Sequence, residues 1–133
     1  MAATAIGDTV RNALERLSHF MQSRDLAILD EFDEAAGTIL IGSEPGEIAR
    51  GKDELARFFA AIFSGPSSVR WEWDTLDVDG QDDTAWFFAE GYAILTDERE
   101  TRLVYRLSGV LVRTPKGWRW RLFHGSEPLV ARA

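Results

Sequence analysis

Few side chains in this chain could carry chemistry, because it has two histidines and no cysteine. His124 is the stronger candidate: an imidazole titrates at about pH 6.5 when unperturbed, which makes it a competent acid or base near neutrality. It lies in Phe123-His124-Gly125-Ser126. Ser126 has no visible triad around it and reads as a hydrogen-bond donor, not a nucleophile. Glu90 and Arg106 form a second candidate set. Glu90 interrupts the alternation of Trp86, Phe88 and Tyr92, and Arg106 sits among Val104, Ser108 and Val110. A lone guanidinium in apolar surroundings is costly to desolvate, so the two are expected to pair across adjacent strands. That pair has two readings. It fixes packing, or Arg106 steadies an oxyanion while Glu90 shuttles the proton. His19 falls off the apolar stripe of its helix and reads as solvated.

Composition bounds the possibilities. The chain has 133 residues, 45% hydrophobic and 28% charged, with a net charge of −7. One domain of this size buries enough surface to fold around a single core. Absent cysteine removes thiol nucleophiles, thiolate metal sites and disulfides. Two distant histidines give no metal-ligand spacing, and the glycines of Ile41 to Gly51 lack phosphate-loop spacing, so neither metal nor nucleotide cofactor is expected. No run of apolar residues reaches membrane-span length, and Met1 to Asp8 lacks a secretory pattern, which points to a soluble cytoplasmic protein without a membrane partner. Arg102, Arg106, Arg113, Lys116, Arg119 and Arg121 make the C-terminal third basic. They mostly alternate with apolar residues and the pI is about 4.8, so they read as a solvated sheet face and not a nucleic-acid surface.

The elements that must position these groups follow from periodicity. Val10, Leu14, Leu17 and Met21 predict a helix over Asp8 to Arg24 with Asp8 as N-cap. A second helix is predicted over Arg24 to Glu34, closed by Gly37, then a strand at Thr38 to Gly42 and a turn at Ser43-Glu44-Pro45-Gly46. Leu55, Phe58, Phe59 and Ile62 predict a third helix over Lys52 to Ser64, stopped by Gly65-Pro66. Beyond Pro66 the period becomes 2. Four strands, Val69 to Val78, Thr84 to Leu95, Thr101 to Arg113 and Trp118 to Glu127, are joined by hairpin-length turns. Helices followed by an antiparallel meander predict an α+β domain, helices laid across one face of a curved sheet. The phase change between Trp73 and Leu76 predicts a bulge.

Three stretches stand out: Gly42-Ser43-Glu44-Pro45-Gly46-Glu47 with Arg50-Gly51, Arg106-Leu107-Ser108-Gly109-Val110-Leu111, and Trp118-Arg119-Trp120 running into Phe123-His124-Gly125-Ser126-Glu127-Pro128. They resemble the SnoaL-like branch of the nuclear transport factor two-like superfamily, whose fold is a cone-shaped α+β domain of the cystatin-like type. The resemblance covers nearly the whole chain. It implies an internal pocket inside the cone. Unbroken alternation puts Trp118, Trp120, Leu122, His124 and Ser126 on one face of the last strand, and the resemblance makes that the pocket face. Trp73, Trp86, Phe88 and Trp120 are then walls for a flat ligand, with Ser108 and Ser126 as polar groups. Asp33 is the positional counterpart of the base in ketosteroid isomerase relatives. The first helix has no Tyr, however, and the isomerase machinery is not carried over.

The superfamily includes isomerases, dehydratases, epoxide hydrolases and polyketide cyclases, and also transport and kinase-association domains, so fold alone does not choose an activity. Three readings stay open. One is an isomerase, cyclase or hydrolase acting on a small hydrophobic substrate by general acid–base chemistry through His124, Arg106 and Glu90. The second is a non-catalytic binder with the same pocket. The third is a dimerisation or partner-binding domain working through its outer sheet face, with a two-fold homodimer as the expected assembly.

Overall fold

The computed structural model describes residues 2–129. Helix α1, Ala2–Ser23, buries Val10, Ala13, Leu14, Leu17 and Met21, the expected stripe. It begins a turn and a half before Asp8, which therefore caps nothing and instead accepts a hydrogen bond from Arg11 at 3.3 Å. Arg24 ends the helix in the left-handed region (φ 57°). Its guanidinium holds the carbonyls of Gly65 and Pro66, each at 2.8 Å. The predicted second α-helix is a tighter 3-10 helix, Leu26–Glu31, whose N-cap is the Asp25 side chain accepting from the Ala27 N–H at 2.9 Å. Gly37 does not close it. Phe32 turns extended and the Asp33 N–H donates to the Trp120 carbonyl at 2.8 Å, so sheet pairing ends the element early.

Strand β1, Ile39–Ile41, was expected, whereas its three-residue hairpin partner β2, Ile48–Arg50, is too short to leave a period. Helix α2, Gly51–Phe63, buries Leu55 and Phe59. The long strands are β3 (Ser68–Gln81), β4 (Thr84–Thr96), β5 (Glu100–Thr114) and β6 (Gly117–Ser126). All six form one mainly antiparallel sheet in the order β2-β1-β6-β5-β4-β3, with β1 parallel to β6. The sheet is open and curved, and the helices fill its concave face, as the α+β expectation required. On the edge strand β3 the Trp71 N–H donates to the Ser18 hydroxyl at 3.0 Å. An exposed ladder donor is thereby covered by α1.

Two bulges decide which side chains enter the cone. Asp74 is the extra residue between Trp73 and Thr75, which keeps Trp73 and Leu76 both inward, as the sequence suggested. The second bulge was not anticipated: β6 carries one extra residue, Arg121, where Val110 pairs with Leu122 and Leu111 with Trp120. Alternation therefore changes phase inside β6. Trp120, Phe123 and Gly125 point inward and are buried, while His124 and Ser126 point outward and are exposed. The cause is visible at Arg121, whose guanidinium donates twice to one Asp33 carboxylate oxygen, at 2.9 and 2.7 Å.

Trp120 fills the narrow end of the cone against Phe32, Phe87 and Phe123. Gly109 makes room for it. A Cβ there would come within 2.7 Å of the Trp120 ring and 2.9 Å of both the Phe87 ring and the Leu122 carbonyl. Gly109→Ala is expected to destabilise the fold by about 1–3 kcal/mol, the usual cost of an overpacked core. An unchanged urea midpoint would contradict this packing account.

Candidate functional site

The constellation singled out in the sequence is brought together, but on the outer face. Trp86 pairs with Val110, Phe88 with Ser108 and Glu90 with Arg106, and on the other side of β5 Ser108 pairs with His124 and Arg106 with Ser126. These residues make one contiguous patch that faces away from the helices. Glu90 and Arg106 do pair, at 3.3 Å, with each side chain about half exposed. At that exposure the pair is weak and screened. No cavity adjoins His124, Glu90, Arg106, Ser108 or Ser126 among the described residues. Trp86 and Phe88 are exposed and not walls of a pocket. The bulge at Arg121 accounts for His124 and Ser126. The remainder follows from β4 and β5 being apolar on both faces, so that alternation alone did not say which face met the helices. Asp33 lines a separate polar groove at the narrow end, with Lys52, Lys116 and Arg119, and is paired to Arg121. Trp120 is fully buried core, and Trp73 stacks on Trp71 beside Tyr105.

A mainly apolar cavity lies at the wide end of the cone. It has a volume of about 190 Å³, between the C-terminal half of α1, α2, the β1–β2 turn and the adjoining ends of β3 to β6. Leu17, Met21, Phe58, Phe59, Ile62 and Trp71 supply its apolar walls. Four ionisable groups line it: Glu44 and Glu47 from the turn, Glu127 just past β6, and Tyr105 from β5. No Lys, Arg or His is among them.

Each of the four is placed by local structure. Pro45 and Gly46, with φ 82° at Gly46, bend the β1–β2 turn. Glu47 then folds back so that its carboxylate accepts from the Glu44 N–H at 2.9 Å, while its carbonyl accepts from the Gly42 N–H at 2.8 Å. Tyr105 is 6% exposed. Its ring packs against Trp71 and Trp73 and its hydroxyl passes over Gly125, where any Cβ would overlap it. That hydroxyl makes no hydrogen bond among the described residues. Burial first, then the charges of Glu47 and Glu127, push its phenol well above the ordinary value. It stays protonated, a donor and not a base. Glu44 is within hydrogen-bonding reach of Glu127, and that contact, the Glu127 charge, slight burial and Glu47 all raise its carboxyl from the usual range. Two carboxylates this close favour a shared proton.

In the sequence the groups that matter here stand out only as parts of motifs. Glu44 and Glu47 sit in a turn and Glu127 beyond a strand end, where periodicity carries no information. Tyr105 was legible in principle. It is one of two tyrosines, and it falls on the opposite face of β5 from Arg106.

With this geometry in view, the comparisons with known proteins place the chain. Residues 10–130 match the SnoaL-like domain family. The chain belongs to that family. No curated protein matches the chain. Among solved structures, it is similar to a protein provisionally named a dehydratase, from the nuclear transport factor two-like family of Streptomyces avermitilis (TM-score 0.84, 18% identity, 98% of this chain and 100% of that one). It is also similar to a protein provisionally named an aromatic ring hydroxylase from Novosphingobium aromaticivorans (TM-score 0.81, 20% identity, 96% and 92% covered). A third is a provisionally named calcium/calmodulin-dependent protein kinase II association domain from Xanthomonas campestris (TM-score 0.77, 14% identity, 92% and 87% covered). At these identities the likeness shows the fold alone. The SnoaL-like family assignment and the cone are as the sequence motifs implied.

Two outcomes follow from the polar groups of the cavity. Tyr105→Phe is expected to leave thermal stability unchanged or raised, since the lost hydroxyl has no protein partner; a clear drop would mean that it does. Glu44 binds its proton more tightly folded than unfolded, so its contribution is present in acid and lost as pH rises through its raised titration range. Glu44→Gln should therefore raise the urea midpoint at neutral pH, with the gain vanishing in acid.

Proposed function

We propose that the chain is a small-molecule pocket protein of the SnoaL-like type, taking a compact, largely apolar molecule into the wide-end cavity and performing general acid–base chemistry on it there. The observation that carries this reading is the hydroxyl of buried Tyr105, open to an apolar cavity beside Glu44, Glu47 and Glu127 and without a hydrogen-bond partner among the described residues. Such a phenol donates a hydrogen bond to a substrate oxygen and strengthens that bond as negative charge develops there. A rim glutamate with a raised titration range takes a proton from a neighbouring carbon and returns it elsewhere on the molecule. That proton movement is common to isomerisations, cyclisations and eliminations of water. The provisional dehydratase and hydroxylase names of two neighbours agree with enzymatic use of this fold. The proton carrier of this proposal is a glutamate in place of His124, which adjoins no cavity.

Tryptophan fluorescence tests it, because Trp71 lines the cavity. Titration with small aromatic, terpenoid and polyketide-like ketones should give saturable quenching, weakened about tenfold, roughly 1.4 kcal/mol, by Tyr105→Phe. His124→Ala should change nothing. Equal loss in both variants, or a loss confined to His124→Ala, would overturn the placement of the site.

The outer face favours a second reading alongside the first. Trp86 and Phe88 are 42% and 38% exposed on β4, next to half-buried Val110 and Leu122. A clustered apolar patch of this kind marks an interaction surface. We propose that it is covered by a second copy in a two-fold homodimer. Sedimentation should show a dimer for the wild type and a monomer for Trp86→Glu with an unchanged far-UV spectrum. A monomeric wild type would end this reading.

A further inference from the structure

Resting on the reading of the wide-end cavity as a ligand site, we infer that the ligand it selects is an organic cation: a compact aromatic or apolar body carrying an ammonium group, with the head among Glu44, Glu47 and Glu127 and the body against Phe58, Phe59 and Trp71. Charge is the first argument. The chain pairs many of its carboxylates with cations: Asp33 with Arg121, Glu31 with Arg16, Glu72 with Arg70 and Arg102, Asp83 with Arg113, Glu34 with Lys116. The three rim glutamates have no such partner among the described residues, although two separate segments, the β1–β2 turn and the end of β6, bring them together. An anionic ligand would be desolvated against three carboxylates with no cation to meet it. A cation entering there relieves the repulsion between neighbouring carboxylates.

Tyr105, nine-tenths buried, offers the cavity a hydroxyl without a partner among the described residues, and its oxygen keeps a lone pair free to accept one N–H of an ammonium. Around it stand aromatic rings, the surfaces on which organic cations rest most favourably. Size supports the same class. A dry cavity of about 150 Å³ holds benzene, so about 190 Å³ suits one ring with a short side arm.

A matched series separates this inference from the reading it rests on. 2-Phenylethylammonium, 2-phenylethanol and phenylacetate share one body and differ in head-group charge. By calorimetric titration at neutral pH and low salt, the ammonium should bind about tenfold more tightly than the alcohol, and phenylacetate more weakly than either. Glu44→Gln with Glu127→Gln should remove the advantage of the ammonium and leave the alcohol unchanged. Glu15→Gln with Asp77→Asn, which removes equal charge from exposed positions that do not line the cavity, should preserve it. If the alcohol binds as tightly as the ammonium, or the advantage survives at the rim and falls with the other pair, the cation assignment is overturned while the pocket reading stands. Saturable binding of none of the three overturns both.

Discussion

The contact between Arg121 and Asp33 sets the phase of the last strand, and the cone depends on that phase. A strand with period 2 has no means of its own to change faces, so an inserted residue must be held somewhere. Here the inserted residue is a guanidinium, and it is held by two hydrogen bonds to one mostly buried carboxylate oxygen, while the neighbouring Asp33 N–H closes onto the Trp120 carbonyl. Without the extra residue, Phe123 and Gly125 would leave the concave face. Gly125 is where the Tyr105 hydroxyl passes, and a side chain on that spot would drive the phenol out of its position.

The two ends of the cone are consequently different environments. At the narrow end Trp120 packs against Phe32 and Phe87, with Gly109 thinned to admit the indole. Phe32 and Phe59 carry that cluster on to the wide end, where they join Phe58, Trp71 and Tyr105 around a cavity. Close packing is the normal state of an interior, so an apolar void that persists beside an unpartnered hydroxyl costs stability. The walls are themselves held by aromatic contacts, Trp71 with Trp73, Tyr105 and Phe123, and Phe59 with Phe32, Phe58 and Phe63. Stability and site share one aromatic network.

How much of this was legible depends on whether a residue lies where periodicity speaks. The stripe of α1, the helix over Leu55 to Ile62, the four long strands and the bulge after Trp73 were all readable, because each leaves an apolar pattern or a break in one. The 3-10 helix was not, since six residues ended by a sheet bridge look like the start of an α-helix. In β6, Trp118, Trp120 and Leu122 alternate as if nothing intervened, and the adjacent apolar pair Leu122-Phe123 was the only trace of the slip. Glu90 and Arg106 were rightly paired across β4 and β5. Their face was not decidable, because Val104, Val110, Trp86 and Phe88 are as apolar as the residues that point inward.

The misplaced face carries a general point about sites in curved sheets. A polar residue among apolar neighbours looks like a site in sequence, and on an outer face that is covered by arginine and glutamate it is an ordinary surface pair. Arg102 over the Tyr92 ring at 4.4 Å and the Arg70–Glu72–Arg102 network show how this sheet conceals apolar surface, including the fully buried Ile94, under long charged side chains. The cavity shows the reverse pattern: apolar strand residues form the walls, and the charge comes from a turn and a strand end outside any alternation. Chemistry in such a fold is supplied by loops on a scaffold whose strands serve packing. The side chain that joins the two is Tyr105, whose ring belongs to the packed face and whose hydroxyl belongs to the site.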